Sequence, residues 1–310
     1  MGRQGMSIAH LLRVYEATDA TGEPRTDRTL LVWAHGGAFA FGDLDMPEAD
    51  WVASRFAERG TPVVSIDYRL AGPGTTFPAA SDDVLVAWRW AVANAERLGA
   101  RRIVIGGASA GANIVTGAVL RMLAASTGGV RERMPDAVFL AYPTLHAVQP
   151  APGTDLRAAL DANPEADRFG PAAVLEMYEN YLGGTVEGAP PAAIPGTATR
   201  DELVGFPPTL IVNDDLDELR VSGEAFAAML ADAGVDVTCE TEPDVDHGHL
   251  NRPDHPAAAR TVARVAAWFD DLAAGAPEAS AALVPEASAP PTSSTAVPTT
   301  DPTEPTPTLT

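Results

Sequence analysis

RIVIGGASAGANIVTGA, residues 102–118, is the stretch on which the reading of this chain turns. The β-branched run Ile103-Val104-Ile105 ends in glycines, and Gly107-Ala108-Ser109-Ala110-Gly111 then leads into a helix-compatible segment. Strand, tight turn, helix is the context in which G-x-S-x-G carries chemistry, because the sharp turn strains the serine backbone and exposes its Oγ at the end of the sheet. Small residues flank the serine because strand and helix pass very close there. A serine that merely caps a helix is the plain alternative, so the weight of the motif rests on its partners elsewhere.

The first partner lies upstream. His35-Gly36-Gly37-Ala38 follows the strand-like run Leu30-Leu31-Val32-Trp33-Ala34. Adjacent glycines free the backbone to aim N–H groups inward, where they can hold the negative oxygen that forms when a carbonyl is attacked. The expected donors are Gly36, Gly37 and Ala110, the residue after the serine. On its own the segment would read as a strand-terminating turn.

The second partner lies downstream. Residues 208–213 read as a buried strand that runs into Asp214, Asp215, Asp217 and Glu218. A helix follows, with Phe226, Met229, Leu230 and Ala233 at helical spacing. A strand over 235–240 then exits into Asp244-Val245-Asp246-His247-Gly248-His249-Leu250. Serine, then acid, then histidine is the order of α/β-hydrolases, not of chymotrypsin-like or subtilisin-like proteases.

Over about residues 9–272 the chain resembles the hormone-sensitive-lipase-like carboxylesterases of the α/β-hydrolase superfamily. The carriers are His35-Gly36-Gly37-Ala38, Asp67-Tyr68-Arg69-Leu70, Phe77-Pro78-Ala79, the Ser109 pentapeptide, Asp217-Glu218-Leu219-Arg220 and His247-Gly248. The resemblance implies an α/β fold with a mostly parallel central sheet flanked by helices. It implies Asp217 rather than Asp214 or Asp215 as the acid of a Ser109–His247–Asp217 triad, and His247 rather than His249 as its base. Two departures stand out. Ala108 occupies the position where such enzymes carry Asp, and His35 comes too early to leave room for the usual N-terminal cap helices, so a reduced cap is expected.

Composition sets the outer limits. The 310 residues suit one large α/β domain, expected over 1–274 with a cap insertion at about 146–206. The chain contains no lysine, which excludes Schiff-base chemistry through that residue. A formal charge of −21 argues against nucleic acid and against anionic membrane surfaces. Cys239 is the single cysteine, so no internal disulfide forms, and on its strand it is expected to be a small core residue. No segment reaches the length of a membrane span, residues 1–6 lack a signal-peptide core, and the expected setting is the cytoplasm. From about 275 to 310 Pro, Thr, Ser and Ala dominate, and this tail is expected to be disordered.

Further strands are expected at 9–16, 29–34, 62–66, 102–106 and 137–142, and helices at 47–59, 79–97, 110–124, 171–182, 220–233 and 255–273. The expected activity is hydrolysis of short-chain carboxylic esters through an acyl-enzyme, with a small-molecule ester as partner and no metal or organic cofactor. Relatives of this kind often pair through an edge strand or the last helix, so the resemblance admits a homodimer. Two rivals come from other classes: a metallohydrolase using Asp244, Asp246, His247 and His249, and a catalytically silent ligand-binding relative.

Overall fold

Alternating apolar side chains on the central strands send one set to each face of a sheet. Along β2 (Arg28–Ala34), Leu30, Val32 and Ala34 enter one buried cluster and Leu31 and Trp33 the other. β4 (Ala100–Ala108) repeats the pattern with Ile103 and Ile105 against Val104 and Ala108. β5 (Ala137–Ala141) does so with Val138 and Leu140 against Ala137, Phe139 and Ala141. Strands buried on both faces require helices on both, and the computed structural model, which describes residues 8–17, 27–127, 129 and 132–275, has them. The tail expected over 275–310 lies, Gly275 apart, outside the described residues.

With β1 (Leu12–Tyr15), β3 (Val63–Ile66), β6 (Thr209–Leu216) and β7 (Val237–Asp246), the sheet has seven strands in the order β1-β3-β2-β4-β5-β6-β7. β1 pairs antiparallel with β3 at one edge, and every other pair is parallel. α2 (Asp50–Glu58) and α9 (Pro256–Gly275) cover one face with Val52, Phe56, Val262, Val265 and Phe269. α3 (Ala79–Asn94), α4 (Ala110–Thr127) and α8 (Arg220–Asp232) cover the other. The chain leaves β2 for β3 on one side and returns to β4 on the other. The loops after β2 and β4 therefore diverge at the carboxyl ends of neighbouring strands, which is where parallel sheets open a binding crevice.

The turn from β4 into α4 is the tightest point in the fold. Ser109 sits at φ +52°. A side chain at Gly107 would come within 2.6 Å of the Gly111 carbonyl, and one at Gly111 would overlap the carbonyl oxygens of Ala34 and His35 at the end of β2. Glycine at both positions is a steric requirement.

Between β5 and β6 the insertion forms α5 (Thr154–Ala162), α6 (Pro171–Leu182) and α7 (Arg200–Leu203), and Thr199 and Glu202 close a capping box on the last. It is pinned to α4 through Asn113, whose amide donates to Ala193 O at 3.0 Å and whose Oδ1 accepts from Tyr178 at 2.8 Å.

The structure corrects three expectations. Ile8–Leu11 form one helical turn, α1, so the first strand begins only at Leu12. β7 continues to Asp246 rather than ending at 240: its Asp, Glu and Pro residues look like a loop, but the ladder to β6 supplies their backbone partners and the free edge leaves their side chains room. Cys239 is exposed on that edge strand, not in the core. Among the described residues no helix is long and apolar enough to cross a membrane.

Gly111→Ala should destabilise the protein by about 1–3 kcal/mol, the usual cost of forced overpacking, whereas Gly153→Ala, with open space around it, should leave the thermal midpoint near that of the parent. A melting curve on each variant checks this.

Candidate active site

Strand register assembles the site. In the β6–β7 ladder Leu216 pairs with Asp246, so Asp217 and His247 emerge side by side one residue beyond the strand ends. The elbow holds Ser109 between β4 and α4, its N–H donating to Ala141 O at 2.9 Å. Ser109 Oγ lies 3.0 Å from His247 Nε2, and His247 Nδ1 lies 2.6 Å from Asp217 Oδ2. Because a carboxylate only accepts, Nδ1 carries the proton and Nε2 is left to accept from the serine hydroxyl. Asp217 is fully buried, and its second oxygen accepts from Leu219 N–H at 3.0 Å.

Burial alone pulls the His247 imidazole down, but the charge and hydrogen bond of Asp217, joined by the charges of Asp214 and Glu48, outweigh it and leave the ring above its ordinary value. The ring is boxed in by Phe169, 4.4 Å away, and by the edge of Tyr142 at 5.1 Å. Arg168, neighbour of Phe169 in the insertion between β5 and β6, donates to His247 O at 3.2 Å.

The other two acids near Asp217 are engaged elsewhere. Asp215 pairs with Arg220 at 3.0 Å. Asp214 is fully buried and forms a second acid–histidine pair, 2.5 Å from His249 Nδ1, while also accepting from Gly248 N–H at 2.8 Å. His249 Nε2 lies 2.9 Å from Thr261 Oγ1, which approaches the buried Glu242. Arg260 and Arg264 brace that carboxylate at 2.6 and 2.9 Å.

The metal quartet Asp244, Asp246, His247 and His249 is not brought together. Asp244 is exposed, Asp246 pairs with Arg252 at 2.5 Å, and both nitrogens of His247 and of His249 already face protein partners. Among the described residues the acids and histidines close enough to share an ion are Asp214, Asp217 and His247, whose side chains are committed to the hydrogen bonds above.

The expected oxyanion donors divide. The Gly36 N–H donates to Glu48 Oε2 rather than into the crevice. Among the described residues the N–H groups of Gly37, Ala38 and Ala110 meet no acceptor. Gly37 and Ala38 take left-handed backbone angles, φ +117° and +49°, in the bend that presents them to the cavity. Ala38 lies inside the quoted motif, but nothing in the sequence distinguishes a spent N–H from a free one. Glu48, Tyr142 and Phe169, which frame the site, carried no motif at all. Ala108 is fully buried in the apolar cluster with Trp33 and Phe139, an environment in which a carboxylate would be costly.

Ser109, His247, Gly36, Gly37 and Ala38 line a cavity of about 430 Å³ closed by Phe41, Met46, Phe169 and Arg252. The volume suits a small ligand.

Residues 31–251 match the family model described as the alpha/beta hydrolase fold. The chain is 37% identical over 232 residues to the carboxylesterase NlhH of Mycobacterium tuberculosis, a match covering 73% of this chain and 68% of that protein. It is 33% identical over 239 residues to the ethyl acetate hydrolase of Pseudomonas putida, covering 74% and 68%. Among solved structures it is similar to brefeldin A esterase, a bacterial homologue of human hormone-sensitive lipase, at 29% identity and a TM-score of 0.68 over 85% of this chain and 73% of that one. The chain belongs to the α/β-hydrolase superfamily, in its hormone-sensitive-lipase-like branch.

Asp217→Asn removes the main influence that raises His247, so the imidazole should titrate below its value in the parent. An NMR pH titration of the ring protons in parent and variant reads the shift, and an unchanged midpoint would count against the pairing.

Proposed function

We propose that the protein is a serine carboxylesterase acting on esters of short carboxylic acids. The observation that carries this reading is the continuous contact Ser109 Oγ–His247 Nε2–His247 Nδ1–Asp217 at 3.0 and 2.6 Å, opening on a cavity with free N–H donors. Ester hydrolysis by relatives of this similarity supports it, as does the name of the one that hydrolyses ethyl acetate.

In this mechanism Ser109 Oγ attacks the ester carbonyl while His247 Nε2 takes its proton. Asp217 holds the ring in the required tautomer and stabilises the imidazolium. The N–H groups of Gly37, Ala38 and Ala110 receive the developing oxyanion; Gly36 is replaced in this role by Ala38, because its own N–H is spent on Glu48. His247 returns the proton to the leaving alcohol, the acyl group stays on Ser109, and a water activated by the same imidazole releases the acid. The reading needs no metal or organic cofactor. The cavity of about 430 Å³ favours acetyl to butyryl groups. The acids on edge strand β7 oppose pairing with a second copy there, so a homodimer would form elsewhere. One free thiol suits a cytoplasmic setting.

Ser109→Ala should abolish nearly all hydrolysis of p-nitrophenyl acetate, and Asp217→Asn should cost about ten-thousand-fold. Full activity in Ser109→Ala would overturn the reading.

Only the neutral imidazole accepts the serine proton, and its raised value keeps it charged to higher pH. Activity should therefore rise with pH through a midpoint above 6.5. A pH–rate profile of kcat/KM from pH 5 to 9 tests the sign, and an acid limb lying below that value would contradict it.

A further inference from the structure

Glu48 belongs to neither the elbow nor the triad, yet more of the site converges on it than on any other side chain described above. Its carboxylate is 1% exposed. Oε2 accepts from Gly36 N–H, and Oε1 accepts from Tyr142 OH at 2.6 Å and Asn251 Nδ2 at 2.9 Å. Its main chain is held as well: Glu48 O accepts from Trp33 Nε1 at 2.8 Å and Glu48 N–H donates to Asn251 Oδ1 at 3.3 Å. The partners lie on three segments: β2 with the loop after it, the end of β5, and the turn that follows His247.

Stability does not account for this arrangement. Among the described residues no arginine pairs with Glu48, and the chain has no lysine. Taking a carboxylate out of water costs several kcal/mol, and a well-packed apolar residue is often at least as favourable in such a place. What a carboxylate adds is geometry, since its two acceptor oxygens can hold several donors at fixed angles. A Cβ on Gly36 would lie 2.7 Å from Glu48 Oε2 and 3.1 Å from the Cβ of Ser109, so the loop at Gly36 is packed closely against both.

We infer that Glu48 is a positioning residue: it sets the Gly37–Ala38 peptides and the His247 loop at the separation that lets both act on one carbonyl. The inference rests on the hydrolase reading above. By gripping the Gly36 N–H, the carboxylate fixes the direction of the next two peptides, whose N–H groups remain free. By gripping Asn251 and Tyr142, it ties that direction to the segment bearing the base and to the ring that stands against it.

The test uses the full chain and Glu48→Gln, which keeps the shape but offers a single acceptor oxygen to donors on two sides. Turnover of p-nitrophenyl acetate should fall on the order of a hundred-fold, the scale of a lost oxyanion donor, with KM near that of the parent. Phenylboronic acid, which becomes tetrahedral on the serine and places an oxygen among the donors, should lose affinity by a similar factor. Affinity for 4-nitrophenol, which needs no oxyanion, should hold. Parental kcat in the variant, or a loss of kcat with boronate affinity unchanged, overturns the inference and leaves the hydrolase reading standing. A parent protein that hydrolyses no ester defeats both. Should Glu48→Gln not fold, Tyr142→Phe removes one donor to the carboxylate and keeps the ring. It should lower kcat and boronate affinity together by a smaller, matched factor, and no loss in either overturns the inference.

Discussion

The close approach of the β4–α4 elbow to the end of β2 is the constraint on which the site depends. Gly111 packs against the carbonyls of Ala34 and His35, and Gly107 against Gly111 itself. That contact forces Ser109 to φ +52° and sets it beside the loop whose free N–H groups face the cavity. Ser109 and the Gly37–Ala38 loop thus meet from segments about 70 residues apart by virtue of adjacent parallel strands. A bulkier residue at either glycine would separate them before any chemistry was touched.

Around this contact the protein buries an unusual amount of charge. Asp214, Asp217, Glu48 and Glu242 are all at most 1% exposed; the first three accept hydrogen bonds from the loops at the strand ends, and Glu242 accepts from arginines of α9. Groups of this kind contribute little net stability compared with apolar packing, but removing one partner is expensive. They make the loops specific rather than strong. Asp217 foremost, with Asp214 and Glu48, also explains why a nearly enclosed imidazole is held above its ordinary value instead of below it.

That Ser109, His247 and Asp217 meet could be read from the sequence because each lies in a short motif whose spacing is imposed by local backbone geometry. The parallel sheet was readable for a similar reason, since uninterrupted β-branched runs ending in glycine leave few alternatives. The rest depended on partners remote in the chain. Whether the Gly36 N–H is free is decided by residue 48, and what residue 48 does is decided by residues 142 and 251. The length of β7 was hidden because acidic residues and a proline imitate a loop when the strand lies at an edge. Cys239 was misplaced for the same reason: alternation shows which residues share a face, but not that one face of an edge strand meets water.

The pair formed by Asp214 and His249, continued through Thr261 to Glu242, holds the turn after β7 without using the imidazole of His247. The turn is therefore a mount built separately from the tool it carries. A different side chain at position 247 would inherit a rigid, well-aimed platform beside a serine and a cavity. On such a platform new reactivity can be installed by evolution or by design without first re-engineering the backbone beneath it.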